Sequence, residues 1–246
     1  MKRLENKIAL VTGGSRGLGA AIARRLAQEG ANVALTYVSA PEKARSVRNY
    51  IENFGRKGLA LAVDNADPTA ITKGIAQVIS TFGKIDILVN NAGTYNHGVI
   101  PDIPLEEFDR LMAINVRAVF VASQTVARQM VAGDRIITSG SNMAERVAGP
   151  GASLYAMSKS ALIGLTKVMA RDLGPRGITV NLVQPGSTDT DMNPKNGPAA
   201  DWQRNLMALP EFGSPDDIAS LVVYLASAES KFITAAALTI DGGANA

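Results

Sequence analysis

Residues 7–29 read KIALVTGGSRGLGAAIARRLAQE, and the order of the parts points to one architecture. An apolar run, KIALV at 7–11, passes into the turn Thr12-Gly13-Gly14-Ser15-Arg16-Gly17-Leu18-Gly19, and an amphipathic segment follows over 20–29. Strand, glycine turn and helix, in that order, aim backbone N–H groups and a helix N-terminus at one point, a ready seat for a phosphate. Gly13 permits the tight turn, while Gly17 and Gly19 allow ligand and helix to come close. One such motif is also an ordinary tight connection, so its weight depends on what surrounds it.

The surroundings repeat the pattern. NVALTY at 32–37, GLALAV at 58–63, DILV at 86–89, RIITS at 135–139, ITVNLV at 178–183 and residues 236–240 read as further strands. Helical patterns at 41–54, 68–82, 105–131, 151–174 and 215–226 separate or follow them. Strands alternating with helices predict an α/β fold: one doubly wound, Rossmann-type domain over 1–246, about seven parallel strands with helices on both faces. Ligands in such a sheet gather at the carboxyl ends of the strands, where Asp64, Asn65 and Asn90 would stand. From 187 to 213 the composition turns to Asp, Asn, Pro, Lys and Gly. A polar excursion of that length predicts a lid over the site, on which Met192, Trp202, Leu206 and Met207 either cover an apolar substrate or anchor the lid.

The end of the second strand carries the cofactor preference. A carboxylate there would hold the ribose 2′-OH of NAD; the chain has Leu35-Thr36-Tyr37-Val38-Ser39, with none. Arg16 is placed to neutralise a 2′-phosphate and Ser39 to hydrogen-bond it, so NADP(H) is favoured over NAD(H). The catalytic expectation rests on the helix at 151–174, GASLYAMSKSALIGLTKVMARDLG. Tyr155 and Lys159 lie one turn apart on one face of it. An ammonium beside a phenol favours the phenolate and lowers its pKa, which reads as a proton-transfer device. Asn115 interrupts an apolar helical stretch, LMAINVRAVF, where a buried amide needs partners. It is either an amide satisfied by a neighbouring backbone group or a kinked, water-binding position.

Bulk properties exclude other classes. The chain has 246 residues, 46% hydrophobic and 19% charged, with a net charge of +3 spread along it. The charges are scattered, so no nucleic-acid surface is implied. With no cysteine and a single histidine, His97, a thiolate metal site, a multi-histidine metal centre and a histidine triad are all disfavoured. His97 reads as a loop residue. No apolar run is long enough to span a bilayer, and the first residues lack a signal-peptide pattern, so a cytoplasmic protein is expected.

With these pieces assembled, the sequence resembles the short-chain dehydrogenase/reductase family over essentially its whole length. Thr12-Gly13-x-x-x-Gly17-x-Gly19, Asn90-Asn91-Ala92-Gly93, Asn115, a serine, Tyr155-x-x-x-Lys159 and Pro185-Gly186 follow in the family's order. Within the family it looks like 3-oxoacyl-carrier-protein reductases and related carbonyl reductases. The resemblance implies Asn115, Ser141, Tyr155 and Lys159 as catalytic residues acting on a small-molecule carbonyl. The family's active serine usually falls where this chain has Asn142; aligning RIITSGS with the family's strand end selects Ser141 over Ser139. The resemblance also implies a cofactor crevice formed by Gly13, Ser15, Arg16, Gly17, Leu18 and Gly19, with Thr36, Ser39, Asp64 and Asn65 beyond them. Asn91, Ala92, Gly93, Tyr155, Lys159, Pro185, Gly186, Thr188 and Thr190 complete it. A homotetramer, with a dimer as the lesser alternative, is implied as well. Two other readings stay open: an NAD-dependent alcohol dehydrogenase, and a nucleotide-sensing regulator, because residues 189–198 resemble a branch containing a cyclic-di-GMP-binding protein.

Overall fold

Short aliphatic runs build the centre of the molecule, which is described here from a computed structural model covering residues 2–246. β1 (Ile8–Val11) and β4 (Ile87–Asn90) are buried at every position. That absence of alternation is what a parallel strand covered on both faces requires. β2 (Asn32–Tyr37), β3 (Gly58–Ala62), β5 (Arg135–Ser139), β6 (Thr179–Pro185) and β7 (Ala237–Ile240) complete a sheet in the order β3-β2-β1-β4-β5-β6-β7. Every pairing is parallel. The register of β1 aligns Val11 with Leu35 on one side and Val89 on the other. Chain order reverses at β1, so the connections after β1 and β4 leave in opposite directions and open a crevice at the carboxyl edge. The expected strands are all present, with ends shifted by one or two residues.

Helices cover both faces. α1 (Gly17–Gln28), α2 (Pro41–Asn53) and α8 (Pro215–Ala226) pack on one, where Ile22, Leu26, Val47, Ile51, Ile218 and Val222 share a core with β1 and β2. α3 (Pro68–Phe82), α5 (Ala118–Ala127) and α6 (Ser153–Leu173) cover the other, through Ile71, Ile75, Ala122, Val126 and Ala170. Among the described residues no helix is long and apolar enough to cross a membrane.

The single helix expected over 105–131 is instead three pieces. α4 (Leu105–Met112) runs into a π-turn at Ala113–Arg117, and α5 follows. The Ala118 N–H reaches back to the Ala113 carbonyl, one residue further than in an α-helix. Such wide turns concentrate at functional positions, and Asn115 lies in this one. Within residues 187–213, α7 (Ala200–Asn205) sits on a small core of its own, Ala200, Met207 and Phe212. The apolar residues of this segment therefore divide: Met207 is buried in that core, whereas Met192 and Trp202 are exposed.

Candidate active site

The glycine turn is held from behind by two threonines. Thr12 Oγ1 accepts the N–H groups of Asn91 and Ala92 at 3.0 and 3.1 Å, and Thr36 Oγ1 accepts that of Gly13 at 3.1 Å. Asn91 returns its amide N–H groups to the carbonyls of Thr12 and Gly13. Gly13 and Gly17 adopt positive φ, 65° and 52°, where a side chain would be strained. At Gly19 a Cβ would lie 2.3 Å from the Gly13 oxygen, so only glycine lets α1 start this close to β1. α1 opens on Arg16, with no side-chain cap and no acidic residue in its first turn. Its first N–H groups have no intrahelical partners and face the crevice, which suits a pyrophosphate. Ser15 is half-buried in the turn, Leu18 packs against the core beneath α1 and Gly93 is exposed after β4, while Ser39 is exposed beyond β2 and Asn65 is buried beyond β3. Thr36 is itself buried, with its hydroxyl engaged by the glycine turn; it shapes the loop. Asp64 is exposed and turns its carboxylate onto the Ala66 N–H.

Across the crevice, Thr188 and Thr190 follow the end of β6. Thr188 Oγ1 donates to the Gly186 carbonyl at 3.1 Å, and the Thr190 side chain lies 3.7 Å from the point a Cβ on Gly17 would occupy. Gly186 is a close-approach glycine: a Cβ there would come within 2.4 Å of the Asp241 side chain. Pro185 ends β6 in a buried position.

Tyr155 and Lys159 on α6, Ser141 after β5 and Asn115 in the π-turn come together from three parts of the chain. Lys159 Nζ lies 5.6 Å from the centre of the Tyr155 ring and donates to the Ser139 carbonyl at 2.9 Å. Ser139 thus contributes its backbone at the end of β5. Ser141 caps the short turn after it, accepting the Met143 N–H at 3.2 Å, and its hydroxyl is near enough to Tyr155 to favour the phenolate. The Asn115 side chain takes up the N–H and C=O of Thr94, both at 2.9 Å, and donates to Ser158 Oγ at 3.0 Å. Ser158 then donates to the Tyr155 carbonyl at 2.8 Å. The first reading of Asn115 holds: its amide is satisfied by the Thr94 backbone, and it lies within the π-turn. Gly93 leaves room for this meeting, since a Cβ on it would sit 3.4 Å from Asn115 Oδ1 and 3.5 Å from Lys159 Nζ.

Burial pushes the Tyr155 phenol up, the Ser141 hydroxyl pulls it down, and Tyr95 raises it further. Lys159, whose Nζ lies 5.6 Å from the ring centre, is a cation beside the phenol. Its ammonium is turned to the Ser139 carbonyl, and burial pushes its own pKa down to about 8. Three residues escaped the sequence reading. Ser158 links Asn115 to Tyr155, and its only signal was a polar residue next to Lys159. Tyr95 meets Tyr155 edge-on with ring centres 5.1 Å apart, and Thr94 holds Asn115. His97 is an exposed loop residue lying directly on Gly151, just before α6.

A family model described as Enoyl-(Acyl carrier protein) reductase matches residues 13–245. A short-chain dehydrogenase from Burkholderia cenocepacia, solved in complex with NADP, superposes with a TM-score of 0.98 at 54% identity over 99% of this chain and 100% of that one. The chain belongs to the short-chain dehydrogenase/reductase family. Within that family it is 43% identical, over 98% of both chains, to the cyclic-di-GMP-binding biofilm dispersal mediator protein of Escherichia coli. It is also 38% identical to a 3-oxoacyl-[acyl-carrier-protein] reductase of Staphylococcus epidermidis, over 97% of this chain and 98% of that one. The family's sheet, crevice and tyrosine helix are those already described.

Proposed function

We propose that the protein is an NADP(H)-dependent oxidoreductase that reduces a ketone or 3-oxoacyl carbonyl to an alcohol. The observation that carries the reading is the convergence of Ser141, Tyr155 and Lys159 at the mouth of a crevice whose glycine turn fits a dinucleotide. Arg16 and Ser39, with no carboxylate at the end of β2, support NADP(H), and the NADP complex of the Burkholderia relative points the same way. Bound there, the nicotinamide supplies the hydride that reaches the carbonyl carbon. The chain's own residues handle the oxygen and the proton. Ser141 and Tyr155 hydrogen-bond the carbonyl oxygen as negative charge develops on it. The Tyr155 O–H bond then breaks, its proton completing the alcohol, and the reverse transfer serves oxidation. Lys159, cationic below about pH 8, offsets charge left on the phenolate and is positioned to hold the nicotinamide ribose. Asn115, through Thr94 and Ser158, fixes the backbone on either side of these groups, and the π-turn around it is a suitable anchor for the water that resupplies the proton.

Tyr155→Phe is the test. NADPH-dependent reduction of a ketone or acyl thioester should fall about 10²–10⁴-fold, with calorimetric affinity for NADP⁺ preserved. Full activity in that variant would reject the scheme, and a strong preference for NADH would favour the NAD-dependent dehydrogenase.

The likeness to the Escherichia coli mediator favours a second reading, a cyclic-di-GMP-sensing role on the same fold. Calorimetric binding of cyclic-di-GMP without binding of NADPH would establish it over the enzyme. A homotetramer is supported by apolar side chains left bare on α5 and α6, with Phe120 49% and Val168 58% exposed; sedimentation equilibrium reads the number of copies.

A further inference from the structure

Asp191 follows β6, yet its carboxylate lies 2.7 Å from the ammonium of Lys43 in the first turn of α2. These residues come from opposite sides of the switch point, so the pair bridges the crevice. Arg16 approaches from the glycine turn, and its charge joins that of Lys43 in holding Asp191 ionised. The position is fixed independently by Thr190, whose side chain packs against Gly17 and holds the next residue at the head of α1. An anion therefore stands where cations from α1 and α2 converge, just beyond the end of β2.

We propose that this point is where the dinucleotide's 2′-phosphate binds, that Lys43 is a third contact for it beside Arg16 and Ser39, and that Asp191 is a built-in competitor whose pairing with Lys43 straps the lid to α2 until the phosphate displaces it. The inference rests on the NADP(H) reading above and adds a residue and a coupling to it. The strap transmits the exchange because residues 187–204 are cross-tied. Asp189 bonds Lys195 through both backbone and side chain, Arg204 reaches the Lys195 carbonyl at 2.6 Å, and Gln203 bonds both Ser187 and Asn193. Trp202, the chain's only tryptophan, is on that unit.

The experiment is calorimetry of the intact chain with NADP⁺, NAD⁺ and 2′,5′-ADP, on the parent, Asp191→Asn, Lys43→Met and the double variant. Removing an exposed competing carboxylate should tighten NADP⁺ and 2′,5′-ADP by about threefold, with NAD⁺ unchanged. Lys43→Met should weaken the two phosphorylated ligands by a similar factor, and Asp191→Asn should then add nothing. Trp202 emission should shift when 2′,5′-ADP binds the parent, and Asp191→Asn should show that shift before ligand is added. Unchanged or weaker NADP⁺ binding in Asp191→Asn, or an equal loss of NAD⁺ affinity in Lys43→Met, overturns the proposal while leaving the cofactor reading intact. A parent protein that binds neither dinucleotide overturns both.

Discussion

Replacing Lys159 by methionine should change how stability depends on pH, and the size of the change follows from burial. Lys159 is 5% exposed, and its hydrogen bond goes to a neutral carbonyl. Burial lowers its pKa from 10.5 to about 8. The unfolded chain therefore keeps a proton on this amine over a range where the folded chain has released it. Stability rises with pH wherever the unfolded state holds more protons. The penalty of the buried charge is thus present in full below about pH 8 and relieved as pH climbs toward 10.5. At about 1.4 kcal/mol per pKa unit the ceiling is roughly 3.4 kcal/mol. Between about pH 7 and about pH 10 the parent should gain about 2.5 kcal/mol relative to Lys159→Met. Urea denaturation of both proteins, followed by far-UV circular dichroism across that range, measures it. Tyr155 is common to both chains, so its own titration largely cancels in the difference. A difference curve that is flat, or that falls with pH, would refute the picture of an amine lodged in a dry site without a counter-charge.

Asn115→Ala would strand the N–H and C=O of Thr94, both now bonded at 2.9 Å; the expected loss is about 2–4 kcal/mol by urea denaturation, with reductase turnover reduced as well. Gly19→Ala would press a methyl to 2.3 Å from the Gly13 oxygen and 2.5 Å from Asn91 Nδ2. Its calorimetric affinity for NADP⁺ should drop roughly tenfold or more, while circular dichroism shows the sheet and helices retained.

The strands were legible because a parallel strand covered on both faces has to be a short aliphatic run, and each run here ends in turn residues. Tyr155 and Lys159 were legible as neighbours because helical spacing fixes which side chains share a face. Their electrostatics were not, since the spacing is silent about the Ser139 carbonyl that draws the ammonium aside. The break at Ala113–Arg117 was hidden for a related reason: the apolar pattern continues through it, and only Asn115 disturbed the run. Lys43 was missed because its partner lies 148 residues away, a juxtaposition that exists only once β2 and β6 are in one sheet. Thr36 stands at the end of β2 as the sequence implies, but its bond to the Gly13 N–H joins the turn after β1 to β2 and could not be read from the strand pattern.

The widened turn between α4 and α5 has a consequence for sequence change. The surplus residue is taken up inside the wide turn, so α4 and α5 keep their facing and Val119, Ala122 and Val126 fill the interior as they would on an unbroken helix. Losing one residue within Ala113–Arg117 would let the turn close to ordinary helical spacing with α5 still seated, so the change falls on the bonds that Asn115 makes to Thr94 and Ser158 and spares the core.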